Sequence, residues 1–68
     1  MKVSARNVLK GKIVGIARAS TMTRVSLDIS GTIVNAAITT VAVDDLKLEV
    51  GQEAYAVVDA INIMVGID

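Results

Sequence analysis

The feature that most constrains this chain is an alternation of apolar and polar residues that leads into one tight turn, with a second strand-like segment after the turn. In the segment 22–29, Val25, Leu27 and Ile29 would share one face of a strand, and Arg24, Ser26 and Asp28 the other. Ser30-Gly31 follows, and in the segment 32–39 Val34, Ala36 and Ile38 would share one face, opposite the less polar face of Ile33, Asn35 and Ala37. Because successive side chains of a strand point to opposite faces, the pattern predicts two antiparallel strands joined by a hairpin turn.

Three further segments complete the predicted secondary structure. Residues 10–18 predict a strand that is apolar on both faces, in which Gly11 and Gly15 indicate a bend, a bulge or the close approach of another backbone. Residues 40–46 predict one short helix, and residues 53–60 and 61–65 predict the last strands or one bent strand. We therefore expect residues 1–68 to form a single all-β domain. It would be a five-stranded OB-like barrel with one short helix between the third and fourth strands.

The size and composition of the chain predict an oligomer. Sixty-eight residues make one domain whose stability as a monomer would be marginal. The chain has no Cys to form disulfides and no His to bind a transition metal, yet its residues are 53% hydrophobic. A chain this small and this apolar has more apolar surface than its own core can hide. We expect the surplus to lie in contacts between subunits.

Composition also narrows the classes of function. Without His, Cys, a Ser-x-x-Lys spacing or a Gly-rich phosphate loop, catalysis is the least favoured class. A net charge of zero and a single aromatic residue argue against a nucleic-acid partner, which would need a basic groove and stacking platforms. Neither a signal peptide nor a membrane span is visible, so we expect a cytoplasmic protein with no membrane partner. An OB-type nucleic-acid-binding module and a purely structural oligomer remain the alternatives.

A cluster of hydrogen-bond donors precedes the first predicted strand. Ser4-Ala5-Arg6-Asn7 brings a hydroxyl, a guanidinium and a carboxamide together, Lys10-Gly11-Lys12 follows closely, and no carboxylate lies among them. Such a set of donors can cradle a small anion. It can equally be a polar arm that leads into the strand.

The same residues carry a resemblance to a known family. Ser-Ala-Arg-Asn followed by a variable pair and Lys-Gly resembles the N-terminus of the molbindins, small molybdate-binding "Mop" proteins. The resemblance covers essentially all 68 residues and continues through Ala36-Ala37-Ile38-Thr39, Asp44-Asp45-Leu46, Leu48-Glu49-Val50-Gly51 and Ala56-Val57-Val58. It implies the OB-like fold and a homohexamer built as a trimer of dimers. It also implies that molybdate or tungstate is bound for storage or buffering at subunit interfaces.

The resemblance implies a set of site residues as well. Ser4, Ala5, Arg6 and Asn7 would contribute side chains and backbone N–H groups, a backbone N–H near Ala60 would add to them, and Lys10 would supply charge to a further site near a threefold axis. The chain departs from the family at Asp59, where molbindins usually have a Lys followed by small hydroxyl residues. A carboxylate there would repel a dianion unless it turns away or pairs with Arg6, so this site could be weakened, altered or lost.

Overall fold

The computed structural model describes residues 7–67, and it contains four strands, one α-helix and one 3₁₀ turn over that range. In chain order these elements are β1 Asn7–Arg18, β2 Met22–Ile29, β3 Thr32–Thr39, α1 Thr40–Leu46, β4 Glu53–Val58 and the 3₁₀ turn Ala60–Asn62. The strands form one sheet in the order β3-β2-β1-β4, and every neighbouring pair is antiparallel. The fold is therefore all-β and OB-like, with α1 following β3 in the chain.

The hairpin between β2 and β3 forms where the alternation predicts it. The two strands pair without a register shift from Met22 opposite Thr39 to Ile29 opposite Thr32. Ser30 and Gly31 both have positive φ, 52° and 94°, as the two central residues of a type I′ turn require. The Gly31 N–H donates to Asp28 Oδ1 over 2.8 Å and closes the turn.

Strand β1 is long and bends so that it belongs to two ladders. Its C-terminal half pairs with β2 and its N-terminal half with β4, and Lys12 takes part in both. The register with β2 shifts between Ile13 and Gly15, which is the predicted irregularity. At Gly11 a Cβ atom would lie 2.7 Å from the Asp28 carbonyl oxygen, so only glycine fits this close approach. Both glycines therefore have the roles that the sequence predicted.

The core is small and lies between the sheet and α1. Its buried apolar side chains are Ile13, Val25, Leu27 and Val43. The Thr39 hydroxyl caps α1 by accepting a hydrogen bond from the Ala42 N–H over 3.2 Å. Beneath the helix the buried hydroxyls of Thr23 and Thr40 lie 2.8 Å apart, and the Thr40 hydroxyl donates to the Ala19 carbonyl oxygen over 2.6 Å. These bonds fix the first turn of α1 to the sheet.

The predicted strand at residues 61–65 is absent from the described part of the chain. Ala60–Asn62 form a 3₁₀ turn, and residues 63–67 have no regular structure. Met64 is 94% exposed. The alternation of these residues suits a strand, but a strand also needs a neighbour with which to exchange backbone hydrogen bonds. No described segment of the same chain pairs with them, so the single chain has four strands over residues 7–67 rather than five.

Candidate oxyanion site

The first and last residues of the β1/β4 ladder bring two of the predicted site segments to one end of the sheet. Asn7 begins β1 and lies opposite Val58, the last residue of β4. Asp59 and Ala60 follow Val58 directly, so they leave the sheet beside the place where the N-terminal arm enters it. Asn7 is partly buried, whereas Asp59 and Ala60 are exposed. The antiparallel register therefore brings Asn7 and Ala60, which lie 53 residues apart in the chain (60 minus 7), to one end of the sheet. We call this end of the sheet the Asn7–Ala60 edge.

The 3₁₀ turn after Asp59 offers backbone donors at this edge. Its first hydrogen bond runs from the Asn62 N–H to the Asp59 carbonyl oxygen over 3.0 Å. That bond leaves the N–H groups of Ala60 and Ile61 outside the turn's own hydrogen bonding, as at the start of any such turn. The Asp59 side chain makes no capping bond to the turn. A carboxylate that makes no hydrogen bond within the turn can reorient, so the turn does not fix its direction.

Ser4, Ala5 and Arg6 lie outside the described residues, so their predicted contribution stays a prediction. The structure fixes only their point of attachment, Asn7 at the start of β1. Asn7 pairs with Val58 of its own chain. The possible pairing of Arg6 with Asp59 therefore stays a prediction. In the sequence, Arg6 directly precedes Asn7 and Asp59 directly follows Val58, the two residues that pair in the ladder.

Lys10 belongs to a different place on the sheet. It lies three residues beyond Asn7 in β1, which is about 10 Å along a strand and on the opposite face by the period of two. Its ammonium group contacts Glu53 Oε2 over 3.0 Å, and both side chains are largely exposed. The hydrogen bond to Glu53 and the negative charge of that carboxylate raise the pKa of Lys10 above its ordinary value. An anion that uses Lys10 must therefore compete with Glu53, and Lys10 is not part of the Asn7–Ala60 edge.

Asp44, one of two adjacent acidic residues on α1, has a structural partner. Asp44 on α1 accepts a hydrogen bond from Arg18 Nη2 over 2.6 Å, and the pair is exposed. Within residues 7–67 no group of three or more acidic residues is arranged to hold a metal ion. No helix in this part of the chain is long and apolar enough to cross a membrane. Asp44 therefore ties the end of β1 to α1.

Sequence reasoning missed an open cleft between the two edge strands of the sheet. The cleft has a volume of about 570 Å³ and is lined mostly by apolar side chains, among them Val34, Ala36 and Ile38 of β3 and Ala54, Ala56 and Val58 of β4. Alternation did place these residues on one face of each strand. What it could not show is that the sheet curls far enough for β3 and β4 to face each other without meeting.

With this geometry described, comparison with known proteins decides the family. Residues 3–65 match the TOBE domain family. The chain belongs to the TOBE domain family, among its molbindin-type members. It is 46% identical, over the full length of both chains, to a probable molybdenum-pterin-binding protein of Haemophilus influenzae. The resemblance that the N-terminal residues suggested is thus confirmed.

Solved structures of molbindin-type proteins show the same fold. A molybdate-binding protein from Sporomusa ovata superposes with a TM-score of 0.93 at 36% identity, over 98% of this chain and all of that one. The cytoplasmic molybdate-binding protein ModG, solved with molybdate bound, superposes with a TM-score of 0.92 at 33% identity. That match covers this whole chain and 49% of ModG. Because both structures superpose on nearly the whole of this chain, the elements that position the Asn7–Ala60 edge follow the same path in them.

Proposed function

We propose that this protein binds molybdate or tungstate and stores or buffers the oxyanion without catalysing a reaction. The observation that carries the proposal is the Asn7–Val58 pairing, which joins the donor-rich N-terminal arm to the backbone donors after Val58. Membership of a family with relatives described as molybdenum-pterin-binding or molybdate-binding supports it. In the proposed site Ser4, Ala5, Arg6 and Asn7 supply donors from the arm, and the Ala60 N–H adds one from the turn.

A site built from donors suits these ligands and disfavours the commonest cellular competitor. Molybdate and tungstate are tetrahedral dianions without a proton at neutral pH, so every oxygen can accept a hydrogen bond. Hydrogen phosphate keeps a proton and needs an acceptor, which a site made of N–H and O–H groups leaves unpaired. Sulfate has the same charge and is smaller, so the spacing of the donors has to exclude it. Among the described residues, Asp59 is the acidic residue next to Ala60 in the sequence, and its carboxylate opposes binding when it faces the anion.

The proposal includes a homohexamer, a cytoplasmic location and no nucleic-acid partner. The apolar surface of the described chain supports assembly, because fifteen large hydrophobic side chains are exposed against four that are buried. Lys10 lies apart from the Asn7–Ala60 edge, which fits a second class of site that forms where subunits meet. In that site Glu53 would have to release Lys10 to the anion.

Calorimetric titration of molybdate and tungstate into native protein tests the proposal, with sulfate and phosphate as competing anions. Arg6→Ala should abolish binding, since a charge-assisted hydrogen bond to the anion is lost. Asp59→Lys replaces a repulsive charge by an attractive one and should raise affinity roughly tenfold or more. Arg24→Ala on β2 and Asp45→Lys on α1 make the same charge changes at exposed positions outside the site and should leave the affinity unchanged.

Two outcomes of the titration would contradict the proposal, one of them wholly and the other in part. If native protein, Arg6→Ala and Asp59→Lys all bind equally, the N-terminal arm is not the anion site. If native protein binds tightly and Asp59→Lys does not alter the affinity, Asp59 lies outside the site and only that part of the proposal is wrong. The mass of each variant is measured by light scattering, so that a loss of assembly is not mistaken for a loss of the site.

A further inference from the structure

We propose that Lys10 and Lys12 together bind a second oxyanion, and that the Glu53 carboxylate occupies their site until the anion displaces it. Glu53 would then be an internal competitor that determines how readily this second site fills. The inference rests on the proposed function for its ligand, a tetrahedral dianion such as molybdate. It adds Lys12 as a ligand-binding residue and Glu53 as the residue that regulates the site.

The two lysines share one face of β1 and lie beside the same carboxylate. Lys10 and Lys12 are two residues apart in the strand, so their side chains leave the same face from backbone positions about 7 Å apart. Glu53 lies directly opposite Lys12 in the β1/β4 ladder, and its Oε2 atom is 3.0 Å from Lys10 Nζ. A carboxylate that begins opposite one lysine and contacts the ammonium group of the other is within reach of both. It therefore occupies the place from which an anion could contact both lysines.

Lys12 has no equally close carboxylate of its own. Its side chain is exposed, and in the described part of the chain its ammonium group forms no ion pair. Its other cross-strand partner is Asp28 of β2. Asp28 Oδ1 accepts a hydrogen bond from the Gly31 N–H over 2.8 Å, so that carboxylate is held at the hairpin turn. Lys12 is therefore the second cation available to an anion that approaches Lys10.

The Lys10–Glu53 contact is weak enough for a dianion to replace it. Both side chains are largely exposed, and ion pairs between exposed side chains stabilise a fold little, because water screens the charges and the side chains lose freedom. A dianion has twice the charge of the carboxylate and can accept hydrogen bonds from both ammonium groups at once. The displaced Glu53 stays on the neighbouring strand and repels the bound anion. Glu53 therefore lowers the affinity of this site without closing it.

A rescue experiment tests the second site apart from the first. Under the proposed function Arg6→Ala removes the site at the Asn7–Ala60 edge, and Glu53 still holds Lys10, so this variant should retain little molybdate. Adding Glu53→Gln should raise the molybdenum bound per chain roughly threefold or more in equilibrium dialysis at low salt. Glu49→Gln is the matched control, because it makes the same chemical change at an exposed position in the turn before β4. It should restore nothing.

Lysine substitutions show where the restored molybdate binds. Lys10→Gln or Lys12→Gln, each added to the variant with Arg6→Ala and Glu53→Gln, should remove the restored binding. Lys47→Gln removes a charge from another exposed lysine, after α1, and should leave the restored binding intact. Restored binding that survives Lys12→Gln would overturn the two-lysine site. High salt should also weaken this binding strongly, because exposed charges are screened.

The outcomes separate this inference from the proposed function. If native protein binds molybdate and Glu53→Gln restores none to Arg6→Ala, the inference is wrong and the proposed function stands. If Arg6→Ala binds as well as native protein, the first site is wrong, and the comparison of Glu53→Gln with Glu49→Gln still decides the second. If no protein binds molybdate, both are wrong. Should Arg6→Ala fail to fold or assemble, Glu53→Gln alone must raise the molybdenum bound per native chain, and an unchanged amount would overturn the inference.

Discussion

Replacing Gly11 by alanine should destabilise the fold, although alanine is the smallest change that a glycine can undergo. The added Cβ would lie 2.3 Å from Ile29 Cδ1, 2.7 Å from the Asp28 carbonyl oxygen and 3.3 Å from the Asp28 carbonyl carbon. The Ile29 side chain can rotate away. The Asp28 backbone cannot, because Asp28 pairs with Lys12 of β1 and its side-chain Oδ1 accepts the hydrogen bond from the Gly31 N–H that closes the hairpin turn. Relief of the contact therefore has to separate β1 from the end of β2.

The expected size follows from two opposing effects. Forcing a methyl group into a packed region costs about 1–3 kcal/mol. Replacing a glycine by alanine also lowers the conformational entropy of the unfolded chain, which stabilises the folded state by about 0.4–1 kcal/mol. The free energy of unfolding should therefore fall for Gly11→Ala, by up to about 2.6 kcal/mol. At Gly15 the added Cβ would meet Ser26 Cβ at 3.7 Å and Oγ at 3.8 Å, which is ordinary contact. Gly15→Ala should be neutral or more stable by about 0.4–1 kcal/mol.

Urea denaturation followed by circular dichroism measures both variants, at one protein concentration because association contributes to stability. Ile29→Val removes Cδ1 and separates the side-chain contact from the backbone contact. If the backbone contact dominates, Gly11→Ala should remain destabilising in the Ile29→Val background. The reasoning is refuted if Gly11→Ala is as stable as Gly15→Ala, since both glycines would then be replaceable.

Two further outcomes test the contacts around α1 and at Lys10. Thr40→Val should lower the free energy of unfolding by about 1–3 kcal/mol, because the buried Thr23 hydroxyl and the Ala19 carbonyl oxygen lose their partner. Adding Thr23→Val should cost less than the sum of the single changes, and strict additivity would contradict the shared bond. The folded-state pKa of Lys10 is raised, so the stability from its contact with Glu53 is present below pH 10.5 and is lost as pH rises through the raised pKa. Glu53→Gln should remove this dependence in denaturation curves measured at alkaline pH, and an unchanged profile would show that the pair is not formed in solution.

Much of the fold could be predicted from local patterns, because those patterns act within a few residues. The alternation in β2 and β3 and the Ser30-Gly31 turn specify a hairpin without reference to the rest of the chain. Thr39 caps α1 by a bond to Ala42, three residues away. The same local reasoning began β1 at Lys10, whereas the strand starts at Asn7. Those three residues carry few strand signals of their own and are held in place by pairing with β4.

The sequence by itself determined the classes of residue available to this protein: donors without carboxylates in the N-terminal arm, and aliphatic side chains in excess of what one small core can bury. Tertiary structure decided where they meet. The β1/β4 register placed Asn7 beside the segment of Asp59 and Ala60, and it separated Lys10 from them and gave it Glu53 as a partner. The alternation of residues 61–65 predicted a strand, and in the single chain this prediction is wrong. A strand is completed by its neighbour's backbone, and no described part of this chain lies beside it to provide one.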